Sequence, residues 1–152
     1  IYGYNQSGGY AGYFEGNLYT TGVLTQNSDA RLKRDVTRLS YGLREVLLLR
    51  PVSWVWKAKN DSVVNLGLIA QEVEPLLPEL VSTGIDAEHT KGINYIGLIP
   101  VLVKGVQEQQ TQIEQQQGRI EQQQKQLQQQ QAIIEGLRKF VCGQNPQAEV
   151  CR

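Results

Sequence analysis

The sequence predicts an α+β protein in three parts. A small mixed domain is preceded by a β-rich stretch with the character of a fibre-shaft end. It is followed by a long C-terminal helix in a trimeric coiled coil. Three observations carry that expectation. Apolar residues recur at every seventh position from Ile99 to Val141. The middle of the chain mixes helical and alternating patterns. The first 27 residues hold five of the seven tyrosines and six glycines.

The β-rich stretch, residues 1–27, consists of short alternating pieces separated by Gly and Asn. Tyr10-Ala11-Gly12-Tyr13-Phe14-Glu15 and Asn17-Leu18-Tyr19-Thr20-Thr21-Gly22-Val23-Leu24 are the clearest. Aromatic and β-branched residues favour strands, and the glycines mark turns or close backbone approach. So short a stretch buries no core alone. It must pair with upstream sequence or with other chains, as interwoven strands around a three-fold axis do. A disordered Gly-rich linker is the alternative, and the aromatic content argues against it.

Residues 28–96 read as the mixed domain. Val36, Leu39, Leu43, Val46 and Leu47 recur at helical spacing, which predicts a helix over 36–49. Pro51 stops it. Val52 to Trp56 alternates as a strand. Asn60-Asp61-Ser62 reads as a turn, Leu66 to Ala70 as a short buried strand, and Gln71 to Leu77 as a short helix closed before Pro78. Leu80-Val81-Ser82 and Ile93-Asn94-Tyr95 read as a strand pair around the polar loop that holds His89, the sole histidine.

Residues 97–141 form the heptad array. Ile99, Val106, Ile113, Ile120, Leu127, Ile134 and Val141 make one unbroken column. A sustained seven-residue period imposes a left-handed supercoil, here roughly 65 Å long. If that column is a, the d column is Leu102, Gln109, Gln116, Gln123, Gln130 and Leu137. Glutamine layers in a symmetric core specify register and strand number at a cost in stability. The rival reading is a disordered Gln-rich tract, since 15 of the 25 residues from 107 to 131 are Gln.

Residues 142–152 carry Cys142 and Cys151, the only cysteines. They read as a disulfide loop in an oxidising setting, since no His or further Cys nearby suggests a metal site; two free thiols in a reducing setting are the alternative. No cofactor and no metal site are expected. The net charge is zero, with 15 basic and 15 acidic residues, so no basic stripe favours nucleic acid. The apolar runs are too short for membrane insertion. The first residue is not Met, and the chain reads as part of something longer, with any targeting signal upstream. Asn5-Gln6-Ser7 and Asn60-Asp61-Ser62 match the glycosylation triplet, a frequent chance match.

One constellation has catalytic potential: Asn27-Ser28-Asp29-Ala30-Arg31-Leu32-Lys33. Serine is a nucleophile only when a base takes its proton, and lysine is such a base when burial lowers its pKa. On motif chemistry alone the signal is weak. Ser28 also suits a helix N-cap and Lys33 a solvated charge.

Ser28-Asp29-x-Arg31-Leu32-Lys33 resembles the opening motif of the endosialidase-type intramolecular chaperone domain, which caps phage tail fibres, tailspikes and bacterial fibres. Further blocks resemble it in order: Pro51-Val52-Ser53-Trp54-Val55-Trp56-Lys57, then Gly67-Leu68-Ile69-Ala70-Gln71-Glu72-Val73-Glu74, then Pro78-Glu79-Leu80-Val81, then Asn94-Tyr95-Ile96-Gly97-Leu98. The resemblance covers about residues 28–106. It implies a homotrimer that registers the upstream fibre shaft of the same chain. It also implies a serine autoprotease acting only on that chain, with nucleophile Ser28, base Lys33 and scissile bond Asn27–Ser28. Asp29, Gln71 and Glu72 are candidate supporting residues, with Asp29 either orienting Lys33 or capping the next turn. The alternative is a permanent, non-cleaving cap or tip of a phage or bacterial surface fibre, with host-surface glycan as its candidate partner. Trp54 and Trp56 suit either packing or a carbohydrate contact. The expected location is extracellular: a virion, or the bacterial surface or periplasm.

Overall fold

The computed structural model describes residues 11–12, 14, 18–57 and 62–151. The glycosylation triplet at Asn5, the turn at Asn60-Asp61 and half of the Tyr10–Glu15 piece lie outside the described residues. The chain divides into two units, Ile1–Thr37 and Arg38–Arg152.

In the first unit, the described residues from 18 to 29 are exposed and form no strand. A ladder needs a second strand, and these residues offer none to the expected Asn17–Leu24 piece. Among the described residues, the regular element of this unit is a 3-10 turn, Ala30–Leu32.

The second unit is α+β. Its first helix, α1, spans Leu43–Leu48, shorter than the helix expected over 36–49. The start is set by two carboxylates. Glu45 folds back to accept the Gly42 N–H at 2.8 Å, and Glu108 accepts the Leu43 N–H at 2.9 Å. Those are donors that a helix N-terminus leaves unpaired. A Cβ on Gly42 would lie 2.4 Å from Glu108 Oε2, so only glycine admits this cap. Leu49 leaves helical geometry ahead of Pro51.

Strand β1, Val52–Trp54, pairs antiparallel with β2, Asn65–Gly67, with Val52 opposite Gly67 and Trp54 opposite Asn65. Both strands are shorter than their alternation suggests. Ala70 belongs instead to helix α2, Ala70–Val73. A turn then leads to Pro78, which opens a second 3-10 turn, Pro78–Leu80. Strand β3, Val81–Thr83, pairs antiparallel with β4, Lys91–Ile93. The core is small: Val73, Leu77, Leu80 and Val101 are buried, with Tyr41, Val46, Leu49 and Ile93 among the residues packed around them.

Helix α3 runs unbroken from Tyr95 to Gln144, 50 residues, about 75 Å at 1.5 Å per residue. Asn94 caps it, accepting the Gly97 N–H at 3.0 Å, and the Asn94 N–H donates to Leu80 O at 2.8 Å. A Cβ on Gly97 would lie 2.6 Å from Leu80 Cδ2, so glycine lets the core leucine sit under the first turn. Every residue from 109 to 141 is exposed. At the far end, Cys142 and Cys151 are joined by a disulfide, and a 3-10 turn, Glu149–Cys151, packs back on α3. Among the described residues, no helix is long and apolar enough to cross a membrane.

Candidate functional site

The chemistry expected at residues 28–33 is assembled by one turn of chain. Asp29 is extended and its side chain accepts the Arg31 N–H at 2.9 Å, which starts the 3-10 turn. The Leu32 N–H then donates to Asp29 O and the Lys33 N–H to Ala30 O, each at 3.1 Å. Lys33 returns to extended geometry. The result places Lys33 Nζ 2.8 Å from Ser28 Oγ, to which it donates. The sequence-expected nucleophile and base are thus in hydrogen-bond contact.

Asp29 resolves toward the capping role. Besides the turn N–H, it takes a two-pronged contact from the Arg31 guanidinium, with Nη2 2.6 Å and Nε 3.1 Å from Oδ2. That guanidinium, aided by the Arg31 N–H, holds the Asp29 carboxyl below its ordinary value. The pair is exposed and so adds little stability by itself. Its effect is geometric, because it holds the turn that carries Lys33 back over Ser28. Sequence reasoning did not assign Arg31 this part. The Asp-x-Arg spacing inside a three-residue turn was the available signal.

Ser28 and Lys33 are both exposed. In this contact the Lys33 side chain donates and the Ser28 hydroxyl accepts. For base catalysis the exchange must run the other way, from a neutral amine. An amine in water keeps its proton at neutral pH, and removing water favours the neutral form.

The other two supporting candidates belong to the second unit. Glu72 is bound by Arg50, whose Nε lies 3.0 Å from Oε2 and whose Nη2 contacts Oε1. The guanidinium lowers the Glu72 carboxyl from its ordinary value. Glu72 therefore ties α2 to the residue just before Pro51. Gln71 is exposed and lines a groove of about 500 Å³ with Trp54, Trp56, Asn65, Lys91 and Tyr95. Trp54 and Trp56 meet edge to face, with ring centroids 6.2 Å apart. Lys91 in this groove is paired with Glu74.

The blocks that carry the family resemblance have physical reasons. The Tyr95 hydroxyl accepts the Leu68 N–H at 2.9 Å, tying the start of α3 to the end of β2. A Cβ on Gly67 would lie 2.4 Å from that hydroxyl and 2.8 Å from the Trp54 ring. Ala70 and Val73, three and six positions beyond Gly67, face the core. His89 occupies left-handed backbone, φ 51°, in the β3–β4 loop, where its N–H donates to Asp86 O. Its position is that of an exposed turn residue. Among the described residues, no group of three His, Cys, Asp or Glu side chains is placed to hold a metal ion.

Residues 28–82 match the family model described as chaperone of endosialidase. This chain carries an endosialidase-type chaperone domain. The match begins on Ser28 itself. Over 87 residues the chain is 31% identical to the long tail fiber protein Gp37 of Escherichia phage AR1. That alignment takes in 53% of this chain and 8% of the phage protein's length.

Proposed function

We propose that this endosialidase-type chaperone domain, with its helical tail, trimerises and registers a fibre shaft of the same chain on a phage virion. We further propose that it releases itself by cleavage at Asn27–Ser28. The observation that carries the reading is the 2.8 Å contact between Lys33 Nζ and Ser28 Oγ at the first residue of the family match. The likeness to a phage tail fibre protein supports the fibre context.

In the proposed reaction, neutral Lys33 Nζ takes the Ser28 hydroxyl proton while Oγ attacks the Asn27 carbonyl carbon. The C–N bond of Asn27–Ser28 then breaks. The proton held on Lys33 passes to the departing amine, which becomes the new N-terminus. Asn27 is left as an ester on Ser28 Oγ, and water hydrolyses it to a carboxylate and the free hydroxyl. The turn Ala30–Leu32 supplies proximity, which is a large part of such a barrier. Covering of the exposed dyad by neighbouring chains supplies the water exclusion that lysine needs. Cleavage is then conditional on assembly.

The benefit is physical. β-rich chains with non-local pairing fold slowly. A trimerising domain raises the effective concentration of the shaft ends.

The test is the denatured intact mass of wild type, Ser28→Ala and Lys33→Ala, each expressed as the full chain. A break at Asn27–Ser28 in wild type alone is the expected result. An unbroken wild-type chain that is nonetheless trimeric overturns the cleavage reading and makes the domain a permanent cap.

A further inference from the structure

The array offers glutamine on both flanks of its apolar column, so periodicity alone does not decide which flank faces a neighbouring copy. The start of α3 supplies what periodicity lacks. There the chain's own domain occupies one side of the helix. Val101 and Gly105 are buried, Leu98 packs on the core, and Glu108 holds the Leu43 N–H. Ile96, Ile99, Val103 and Val106 are 50, 56, 51 and 64% exposed. At about 100° per residue, they centre roughly 160° around the helix from the buried face. Their spacing of three, four and three is that of a coiled-coil seam. Leu102 stands between the two faces and lines a groove with Val46 and Leu49. Continued by sevens, the seam takes in Gln110 and Gln117 beside Ile113 and Ile120, and leaves Gln109 and Gln116 on its flank.

We infer that further copies of this chain dock, parallel and in register, along this seam, with Gln110 and Gln117 inside the bundle. The inference rests on the homotrimer reading above and assigns its contact surface. It displaces the register in which Leu102 and Gln109 fill the second column. A second copy is the fitting occupant for two reasons. An exposed Gln-rich helix of this kind is marginal alone, and a strict seven-residue period is met by a helix wound on the same period. In this register Glu114 and Glu121 lie on one flank, while Gln109 and Gln116 on the other carry no charge. Parallel copies therefore meet without like charges facing each other. Toward the C-terminus, Leu137 rather than Arg138 adjoins Ile134 and Val141, so the seam crosses to the other flank there. The paired glutamines at 123–124 and 130–131 make the crossing chemically neutral.

Sedimentation of the full chain carrying Gln116→Lys or Gln117→Lys tests the assignment. Gln117→Lys puts an ammonium group from each copy into the core and abolishes the oligomer at concentrations where the parent chain is assembled. Gln116→Lys places the charge beside a neighbour's Glu121 and keeps it. Gln117→Ile raises the thermal midpoint of dissociation, and Gln116→Ile leaves it unchanged. The reverse pattern, or equal effects of the two positions, overturns the assignment while leaving the trimer intact as a reading. A monomeric parent chain overturns the trimer reading itself, and the assignment with it.

Discussion

Gly67→Ala is the substitution whose sign the structure decides most sharply. In an open strand position, replacing glycine by alanine stabilises by roughly 0.5–1 kcal/mol, because the unfolded chain loses freedom. Position 67 is not open. The new methyl would lie 2.4 Å from the Tyr95 hydroxyl and 2.8 and 3.1 Å from two atoms of the Trp54 ring. The hydroxyl must move, and with it goes its bond from the Leu68 N–H, worth about 1 kcal/mol. Displacing the indole adds an overpacking cost of about 1–3 kcal/mol. Net of the entropy gain, the variant should lose about 1–3 kcal/mol, a large part of a typical stability. Urea unfolding of the full chain, followed by tryptophan fluorescence, reads this directly, since Trp54 is one of the two groups displaced. Tyr95→Phe removes the clashing oxygen along with the hydrogen bond. The double variant should therefore lose less than the sum of the two singles, a coupling a mutant cycle measures. A Gly67→Ala chain as stable as wild type, or strictly additive singles, would refute the close-approach argument.

Gly118 lies within α3 with nothing within 4 Å of a built Cβ, so Gly118→Ala should stabilise the helix by about 0.8–1 kcal/mol per chain. A raised thermal midpoint by circular dichroism checks it, and a lowered one would mean a neighbour approaches there. Leu77 is 1% exposed in the centre of the core, so Leu77→Ala should cost about 2–5 kcal/mol in urea unfolding. A loss under 1 kcal/mol would place Leu77 outside any packed core. Glu108 is held below its ordinary carboxyl value first by the Leu43 N–H and next by Lys104. A depressed folded pKa gives stability that is complete above the unfolded value, about 4.3, and is lost as pH falls through the folded one. Acid should therefore loosen α1 from α3 only below that range. Glu108→Gln, which can still accept the Leu43 N–H, should remove part of the acid slope of the urea midpoint, and an unchanged slope would contradict the assignment.

What the sequence made legible, and what it did not, follows the range of the interactions involved. Pro51 followed close on the end of α1, as proline acts on its immediate neighbours, whereas α2 ends at Val73, well before the Pro78 expected to close it, and a turn fills the interval. The β3–β4 pair was visible as two short runs around a polar loop, but the second run, expected at Ile93-Asn94-Tyr95, lies at Lys91–Ile93, because Asn94 caps α3 and Tyr95 begins it. The long helix followed from its period, although it runs on through Gln144. The start of α1 was not legible. Its N-terminal donor at Leu43 is met by Glu108, 65 residues further along, and no local pattern announces that partner. Gly42 and Gly67 gave no local signal either, since their need for glycine comes from side chains arriving from α3. The Ser28–Lys33 contact was legible because it closes within five positions.

That short range bears on how the proposed cleavage is controlled. A dyad whose geometry is fixed by one turn, with Asp29 and Arg31 holding it, is in place as soon as those six residues fold. Proximity therefore cannot be the step that distinguishes a finished fibre from an unfinished one. What the turn leaves unmet is exclusion of water, since Ser28 and Lys33 both face solvent in the single chain. A lysine base is governed by its surroundings more than by its distance to serine. Control of the reaction then passes to whatever covers the turn. In the proposed trimer, that cover arrives only when chains have associated along α3 and brought their shaft ends together. Under that proposal the seam on α3 and the dyad at Ser28 would be two parts of one device: the helix would set when chains are in register, and burial of the turn would convert that register into bond breakage. Variants that weaken the seam, such as Gln117→Lys, should accordingly leave the 2.8 Å contact intact and still leave Asn27–Ser28 uncut.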